Sequence, residues 1–228
     1  MQHPFDARNG VRTSGLVAGR HLKTGHRHDR HATAYYGIAP SVLEALIRRW
    51  MRTRPSAPVK ETTFVDVGAG MGRAMLLAAE MPFRAVIAVE LHPTLVRIAR
   101  RNAAIWRESG RALTGMRVFQ ADASGFQFPK GPSVAFLFNP FSGTVLRRFL
   151  ASVRRQFVDR PGQLDLLYVN NEQEQVIERE SGWSRIFLGP VRRSRADAIA
   201  DHRILANQPD GEYASANHED CSIWRWAG

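Results

Sequence analysis

The sequence contains very little cysteine and no long apolar run. Cys221 is the single cysteine among 228 residues, which excludes an intramolecular disulfide and a metal site built from several thiolates. No apolar run approaches the roughly 20 residues that cross a bilayer, and residues 1–20 lack the apolar stretch of a signal peptide. The sequence therefore predicts a cytoplasmic protein with no membrane partner.

Lysine is also scarce. Lys23, Lys60 and Lys130 are the only three, so arginine supplies the other 29 of the 32 basic residues, and the formal net charge is +11. A basic surface attracts nucleic acid because binding releases counterions from the phosphates. Such an arginine bias is more typical of genome base composition than of a binding face, so the charge leaves a nucleic-acid partner open without predicting it.

The chain is long enough for one domain, and its first residues differ from the rest. Residues 1–33 show no sustained periodicity and contain five of the eight histidines: His3, His21, His26, His28 and His31. We expect a flexible basic arm over 1–33 and a single domain over 34–228. The spacing of the last three histidines matches no established zinc pattern, so no metal site is predicted.

The domain alternates short apolar runs with longer amphipathic stretches, as parallel strands with crossover helices do. Residues 34–60 predict a helix, with Ser41 and Glu44 as a capping box, and a linker. Residues 171–228 predict C-terminal strands, with an antiparallel pair at 183–188 and 221–226, around a polar insertion at 189–220. Residues 61–170 predict a core with strands at 62–68, 85–90, 116–122, 133–139 and 164–170. The expected fold class is therefore α/β, with a doubly wound, mostly parallel sheet.

A glycine turn follows the first predicted strand. Asp66 lies near the end of the strand, and Gly68, Gly70 and Gly72 alternate after it. Glycine allows a ligand to approach the main chain closely at the carboxyl end of a strand. A dinucleotide fingerprint would need glycine at position 73, where the chain has arginine, so a nicotinamide or flavin cofactor is not expected.

The glycine turn, together with acids after the next two strands, resembles motif I and its partners in class I S-adenosylmethionine-dependent methyltransferases. Glu90 ends the second strand and Asp122 ends the third. The resemblance implies a seven-stranded Rossmann-like sheet with an antiparallel last strand and S-adenosylmethionine as cofactor. It implies that Glu90 accepts hydrogen bonds from the ribose hydroxyls and that Asp122 accepts a hydrogen bond from the adenine amino group. The cofactor-binding residues implied are Asp66, Gly68, Ala69, Gly70, Gly72, Glu90, Leu91, Asp122, Ala123, Asn139 and Tyr36.

The fourth predicted strand ends in Asn139, Pro140 and Phe141, which resemble the Asn-Pro-Pro-aromatic motif of amino-methylating members of this family. The motif implies catalytic roles: the Asn oxygen and the Pro carbonyl accept hydrogen bonds from a target nitrogen, and the aromatic ring packs against the substrate. This chain lacks the second proline. The alternative is a simple turn after a strand.

Three functions remain open from the sequence. The leading one is methyl transfer to a nitrogen of a protein side chain or small amine, and Tyr36 ahead of motif I adds a likeness to the non-SET protein-lysine methyltransferases. The second is an RNA or DNA methyltransferase. The third is a non-catalytic binding module on the same fold. The sequence specifies neither the methyl acceptor nor the oligomeric state.

Overall fold

The computed structural model describes residues 2–207 and 216–228, and these residues form a seven-stranded sheet with helices on both faces. The strands are β1 Thr63–Val67, β2 Ala85–Glu90, β3 Met116–Gln120, β4 Ser133–Phe138, β5 Leu164–Val169, β6 Trp183–Arg192 and β7 His218–Trp226. The helices are α1 Pro4–Asn9, α2 Pro40–Arg52, α3 Arg73–Ala79, α4 Pro93–Glu108, α5 Gly143–Phe157, α6 Glu174–Glu178 and α7 Arg195–Ala206.

The sheet has the order β3-β2-β1-β4-β5-β7-β6. The first five strands pair in parallel, β7 runs antiparallel to β5, and β6 runs antiparallel to β7. This confirms the predicted fold class, a doubly wound, mostly parallel α/β sheet with an antiparallel last strand. The order of strands reverses between β1 and β4, and in open α/β sheets ligands bind in the crevice at this point.

Apolar packing covers both faces of the sheet, which explains why β1 and β5 are buried along their whole length. Phe64 of β1 faces one cluster, in which Trp50 of α2 and Trp106 of α4 are buried. Val65, the next residue, faces the opposite cluster with Phe149 of α5. The alternation along each strand therefore places neighbouring side chains in two separate cores.

Helix α2 begins at Pro40, two residues before the start that a Ser41 N-cap predicts, and the predicted capping box is wrong. Its N-cap is Ala39, which has no side-chain oxygen. The main-chain N–H of Ser41 instead donates to Oδ2 of Asp197 at 2.9 Å, and Oγ of Ser41 accepts from the N–H of Ser194 at 2.8 Å. A distant carboxylate thus replaces the local cap, and the contact joins α2 to the start of α7.

The prediction of a flexible arm is wrong, because residues 2–33 are folded against the domain. Asp6 of α1 is fully buried, and its carboxylate accepts hydrogen bonds from the main chain and hydroxyl of both Thr13 and Ser14 at 2.5–2.7 Å. These polar contacts have no sequence period, so periodicity could not reveal them. Nothing in the histidine content of the segment predicts them either.

Residues 13–38, here called the strap, lie over the loops that follow β1 to β4. Arg73, buried at the start of α3, holds both ends of the strap. It donates to Thr13 and Ser14 at 2.7 and 3.1 Å, and to the main-chain oxygens of Gly37 and Ile38 at 3.1 and 3.2 Å. A fully engaged guanidinium fixes this crossing more firmly than a surface ion pair would.

The C-terminal part contains more regular structure than its polar composition predicts. The antiparallel pair at 183–188 and 221–226 is present, and both strands are longer than predicted. Helix α7 lies within the predicted insertion, and residues 208–215 of that insertion lie outside the described residues. None of the described residues forms a helix long and apolar enough to cross a membrane.

Candidate functional site

The glycine turn after β1 is determined by backbone geometry and by close neighbours. Gly68, Gly70 and Gly72 all have positive φ angles, of 71°, 56° and 88°. A Cβ atom on Gly68 would lie 2.3 Å from Cβ of Pro140, and one on Gly70 would lie 2.1 Å from the ring of Tyr35. The turn therefore packs directly against the loop after β4 and against the strap, and only glycine fits at these positions.

Glu90 at the end of β2 supports this turn from below. Its Oε2 accepts from the N–H of Gly70 at 2.7 Å, and its Oε1 accepts from the N–H of His92 at 2.8 Å. Burial raises the pKa of Glu90, and the two main-chain hydrogen bonds oppose that rise. Each carboxylate oxygen keeps acceptor capacity for a ligand, because a carboxylate accepts about four hydrogen bonds.

Asp66 lies deeper, under the start of α3. Its Oδ2 accepts from the N–H of Met75 at 3.1 Å. Complete burial raises the pKa of Asp66 to about 7, and the nearby Glu90 adds to the rise. A carboxyl group with this pKa changes charge near neutral pH, and a cation in the crevice would favour its ionised form.

Asp122 follows β3 and meets the strap. Its Oδ1 accepts from the N–H and the hydroxyl of Ser124, both at 2.9 Å, and its Oδ2 lies 3.0 Å from Nδ1 of His28. Burial raises the pKa of Asp122, but the Ser124 hydrogen bonds and His28 outweigh it, so the pKa lies below its ordinary value. Asp122 is therefore a carboxylate at neutral pH.

The group formed by His26, His28 and Asp122 has the donor spacing of a metal site, since one atom from each lies within 4.8 Å of the others. The other ring nitrogens oppose this role. The main-chain N–H of His28 donates to Nδ1 of His26 at 3.2 Å, and the guanidinium of Arg148 lies 2.5 Å from Nε2 of His28. In a neutral imidazole the proton then sits on the nitrogen that faces Asp122, where a metal would need a lone pair.

Asn139, immediately after β4, has a left-handed backbone with φ of 39° and is buried. Its Oδ1 accepts from the hydroxyl of Tyr168 at 3.2 Å. Thr33 of the strap engages both neighbouring carbonyls: its hydroxyl donates to the main-chain oxygen of Asn139, and its N–H donates to that of Pro140 at 3.4 Å. The carbonyl of Pro140, expected to receive a target nitrogen, is thus in contact with the strap in this structure.

A cavity of about 990 Å³, partly open to solvent, lies between the strap and the carboxyl ends of β1 to β4. Most of the predicted site residues line it together: Tyr36, Asp66, Gly68, Ala69, Glu90, Leu91, Asp122, Ala123, Pro140 and Phe141. Gly70 and Gly72 shape the turn beside it and are absent from its lining. Phe141 also packs against Phe149, with ring centroids 6.2 Å apart.

A second cavity of about 1,550 Å³, also open to solvent, adjoins the first on the other side of the strap. Asn139 lines this second cavity. Five residues line both spaces and form the partition between them: Ala32, Thr33, Ala34, Tyr36 and Phe138. Tyr36 is held in place because its hydroxyl donates to Oδ1 of the buried Asp201 at 2.7 Å.

Sequence reasoning missed several residues at this site. Thr33, His28 and Arg73 were missed because the strap was expected to be mobile. Asn170, after β5, has a left-handed backbone with φ of 48° beside Asn139 and lines the second cavity. An asparagine directly after each of two neighbouring strands was a usable signal, since asparagine tolerates this conformation better than most residues.

Comparison with known proteins gives matches in structure alone: no protein-family profile and no curated protein matches the sequence. TrmN from Thermus thermophilus is 18% identical with a TM-score of 0.51; the match covers 83% of this chain and 49% of TrmN, so this chain spans about half the length of that protein. A proposed RNA methyltransferase from Pyrococcus horikoshii is 16% identical, with a TM-score of 0.51 and coverage of 82% and 84%.

The magnesium protoporphyrin IX methyltransferase ChlM from Synechocystis PCC 6803, solved with bound S-adenosylmethionine, is 14% identical, with a TM-score of 0.50 and coverage of 82% and 77%. At these identities the likeness concerns the fold. The chain has the seven-stranded, Rossmann-like fold of class I S-adenosylmethionine-dependent methyltransferases.

Proposed function

We propose that this chain is a methyltransferase that uses S-adenosylmethionine and transfers the methyl group to a nitrogen of a protein side chain or small amine. The observation that carries the proposal is the meeting of Asp66, Glu90 and Asp122 with the glycine turn in one cavity. These groups lie at the carboxyl ends of three adjacent strands near the switch point of the sheet, where nucleoside ligands bind in this class of fold.

The residues present suit a nucleoside that carries a positive charge. Glu90 and Asp122 offer acceptors for hydroxyl and amino hydrogens, and Leu91 and Ala123 supply apolar surface between them. Asp66 supplies a carboxylate for a cation once it ionises.

The protein's task in this reaction is alignment. S-adenosylmethionine, when bound, supplies a methyl carbon that its sulfonium has already activated. The chain has to hold the acceptor nitrogen in line with that carbon and exclude water. The side-chain carbonyl of Asn139 and the main-chain carbonyl of Pro140 would accept hydrogen bonds from the nitrogen, orient its lone pair and stabilise the developing positive charge. Thr33 would have to release the carbonyl of Pro140, and Tyr168 the side-chain oxygen of Asn139, before an acceptor could use both.

The second cavity supports an amine as the acceptor. Its lining includes the carboxylates of Glu172, Glu219 and Asp220 and the polar side chains of Asn139 and Asn170. Arg193 pairs with Glu219 and His218 lies 3.8 Å from Asp220, so Glu172 is the carboxylate that would attract a cationic group, against the opposing charge of Arg20. An amine drawn in as a cation would lose its proton before transfer, because only the neutral nitrogen has a lone pair to donate.

A basic groove beside this cavity favours nucleic acid as a second candidate acceptor. Arg192, Arg195, Arg203 and His202 line the groove between β6 and α7, and Arg193 and His218 line both the groove and the second cavity. A nucleic acid whose phosphates lay in the groove would therefore pass next to the second cavity. This candidate predicts binding that weakens steeply as salt rises.

The test has two stages. Calorimetry with S-adenosylmethionine comes first. Absence of binding would exclude both methyltransferase functions and favour a non-catalytic binding module. The protein is then incubated with methyl-labelled S-adenosylmethionine and fractionated cell extract, and the label is followed into protein, nucleic acid or small molecules. Label in nuclease-sensitive material would overturn the amine proposal in favour of nucleic acid.

A pair of variants tests the acceptor side. Glu172→Gln should raise KM for a cationic acceptor and leave the Kd of the cofactor unchanged, since Glu172 lines only the second cavity. Glu178→Gln, an exposed residue nearby that lines neither cavity, is the matched control. Equal KM values in both variants would remove Glu172 from acceptor binding.

A further inference from the structure

His28 is the one histidine of the strap whose side chain is almost fully buried at the cofactor cavity. Its side chain is 4% exposed and lines the cavity beside Asp122. His21, by contrast, is exposed and does not line the cavity. Burying a polar side chain is costly, so the position of His28 next to Asp122 indicates that it has a role there.

The proton on His28 has a defined position. Arg148 lies 2.5 Å from Nε2 of His28, and a guanidinium can only donate, so Nε2 is the acceptor. Burial lowers the pKa of His28 and Arg148 lowers it further, against the opposing effect of Asp122, so the ring is neutral at pH 7. The single N–H is therefore on Nδ1, the nitrogen that faces Asp122.

Neighbouring groups already surround most of the Asp122 carboxylate. Two hydrogen bonds from Ser124 occupy Oδ1, and Nδ1 of His28 lies 3.0 Å from Oδ2. His26, at 3.9 Å from Oδ2, is beyond hydrogen-bond distance. A carboxylate accepts about four hydrogen bonds, and the ring of His28 lies against one side of Oδ2, so the other side of Oδ2 is left for a ligand.

The contact between His28 and Asp122 is close but not aligned. Among the described residues, Nδ1 of His28 has no partner that satisfies full hydrogen-bond geometry. Its effect on Asp122 is therefore mainly electrostatic in this structure, because the N–H dipole lies beside the negative oxygen. The side chain of Asp122 is 22% exposed, so without His28 water could solvate Oδ2 and the carboxylate could turn.

We propose that His28, set in its tautomer by Arg148, is a positioning residue that fixes Asp122 so that its remaining lone pair accepts the amino group of adenine. The inference rests on the proposed cofactor site. It makes His28 a determinant of base specificity: hypoxanthine, which carries an oxygen in place of the amino group, would place two acceptors together. The strap thus contributes to ligand selection as well as to covering the cavity.

The test compares two ligands by calorimetry: S-adenosylhomocysteine and S-inosylhomocysteine, its hypoxanthine counterpart. Loss of a hydrogen bond to a charged group corresponds to a preference of about 10- to 100-fold for the adenine ligand in the unmodified protein. His28→Ala should lower this preference at least about fivefold, and His28→Asn, whose amide can replace the Nδ1 donor, should retain more of it. His21→Ala is the matched control and should retain it fully.

Each outcome bears on the proposal. A reduced preference in His28→Ala with rescue in His28→Asn supports it, whereas an equal loss of affinity for both ligands would make His28 a merely structural part of the strap. An unchanged preference would overturn the inference directly. If the unmodified protein bound both ligands equally, Asp122 would not distinguish the adenine amino group from the hypoxanthine oxygen. If it bound neither, the proposed cofactor site itself would fail.

Discussion

The affinity for S-adenosylmethionine should rise with pH across neutrality because of Asp66. In the free protein, burial raises the pKa of this carboxyl to about 7. A cationic cofactor stabilises the ionised form, so binding removes a proton from the protein. The sign follows: affinity is low below pH 7, where Asp66 is protonated and must ionise first, and it levels off above pH 7.

The size of the effect follows from the fraction of protein that is ready to bind. With a pKa of about 7, about one tenth of Asp66 is ionised at pH 6 and about nine tenths at pH 8. If only the ionised form binds, the apparent Kd falls about tenfold between these two pH values. Binding at pH 6.5 should also release a proton, which calorimetry detects as a dependence of the measured heat on the buffer.

Asp66→Asn separates this effect from titration of the cofactor itself. The amide oxygen can still accept from Met75, but the residue no longer titrates, so the part of the pH dependence due to Asp66 should disappear. The variant should also be more stable at pH 8. Because the folded-state pKa lies above the ordinary value of 3.8, the contribution of Asp66 to stability is lost as pH rises towards 7, by up to about 4 kcal/mol. Equal pH profiles for the two proteins would refute this reasoning.

Two further predictions concern the loops around the cavity. Asn139→Gly keeps a residue suited to φ of 39° and removes the side chain, so turnover should fall by about 100-fold with little change in the Kd of the cofactor. A loss of cofactor affinity equal to that in Asp66→Asn would exclude a catalytic role for Asn139. Gly70→Ala forces Tyr35 to move and breaks its 2.7 Å hydrogen bond to Thr13, so the free energy of unfolding should fall by about 3 kcal/mol. Gly25→Ala is the control, because Gly25 also has a positive φ but has open space around it, and it should lower the free energy of unfolding by only about 1 kcal/mol. Chemical denaturation measures both values, and equal losses would mean that Tyr35 does not pack as described.

The central fold was predictable because its signals are local. Each core strand is a short apolar run, and each helix of the core has an apolar stripe, so strand limits agree with the structure to within two residues. The acids and glycines were predictable because parallel strands bring their carboxyl ends to one edge. Asp66, Glu90 and Asp122, which lie up to 56 positions apart in the sequence, meet there for that reason.

The strap was not predictable from the same signals. It is held by single polar contacts such as those of Asp6 and Arg73. Such contacts leave no periodic pattern, and the many histidines and arginines of the segment are typical of a solvated tail. For the same reason the partners of His28 and Thr33 could be found only from the structure.

The connections of the strap also bear on how the protein is made. Thr33 contacts a residue 106 positions later in the chain, and Tyr36 contacts one 165 positions later. A nascent chain leaving the ribosome therefore carries the strap long before these two partners exist, and the strap makes its full set of contacts only after α7 has been synthesised. Contacts of such high contact order close slowly. The strap can contact Asp201 only after α7 is made, and the sheet can be completed only after β7 is made, so both depend on the C-terminal part of the chain.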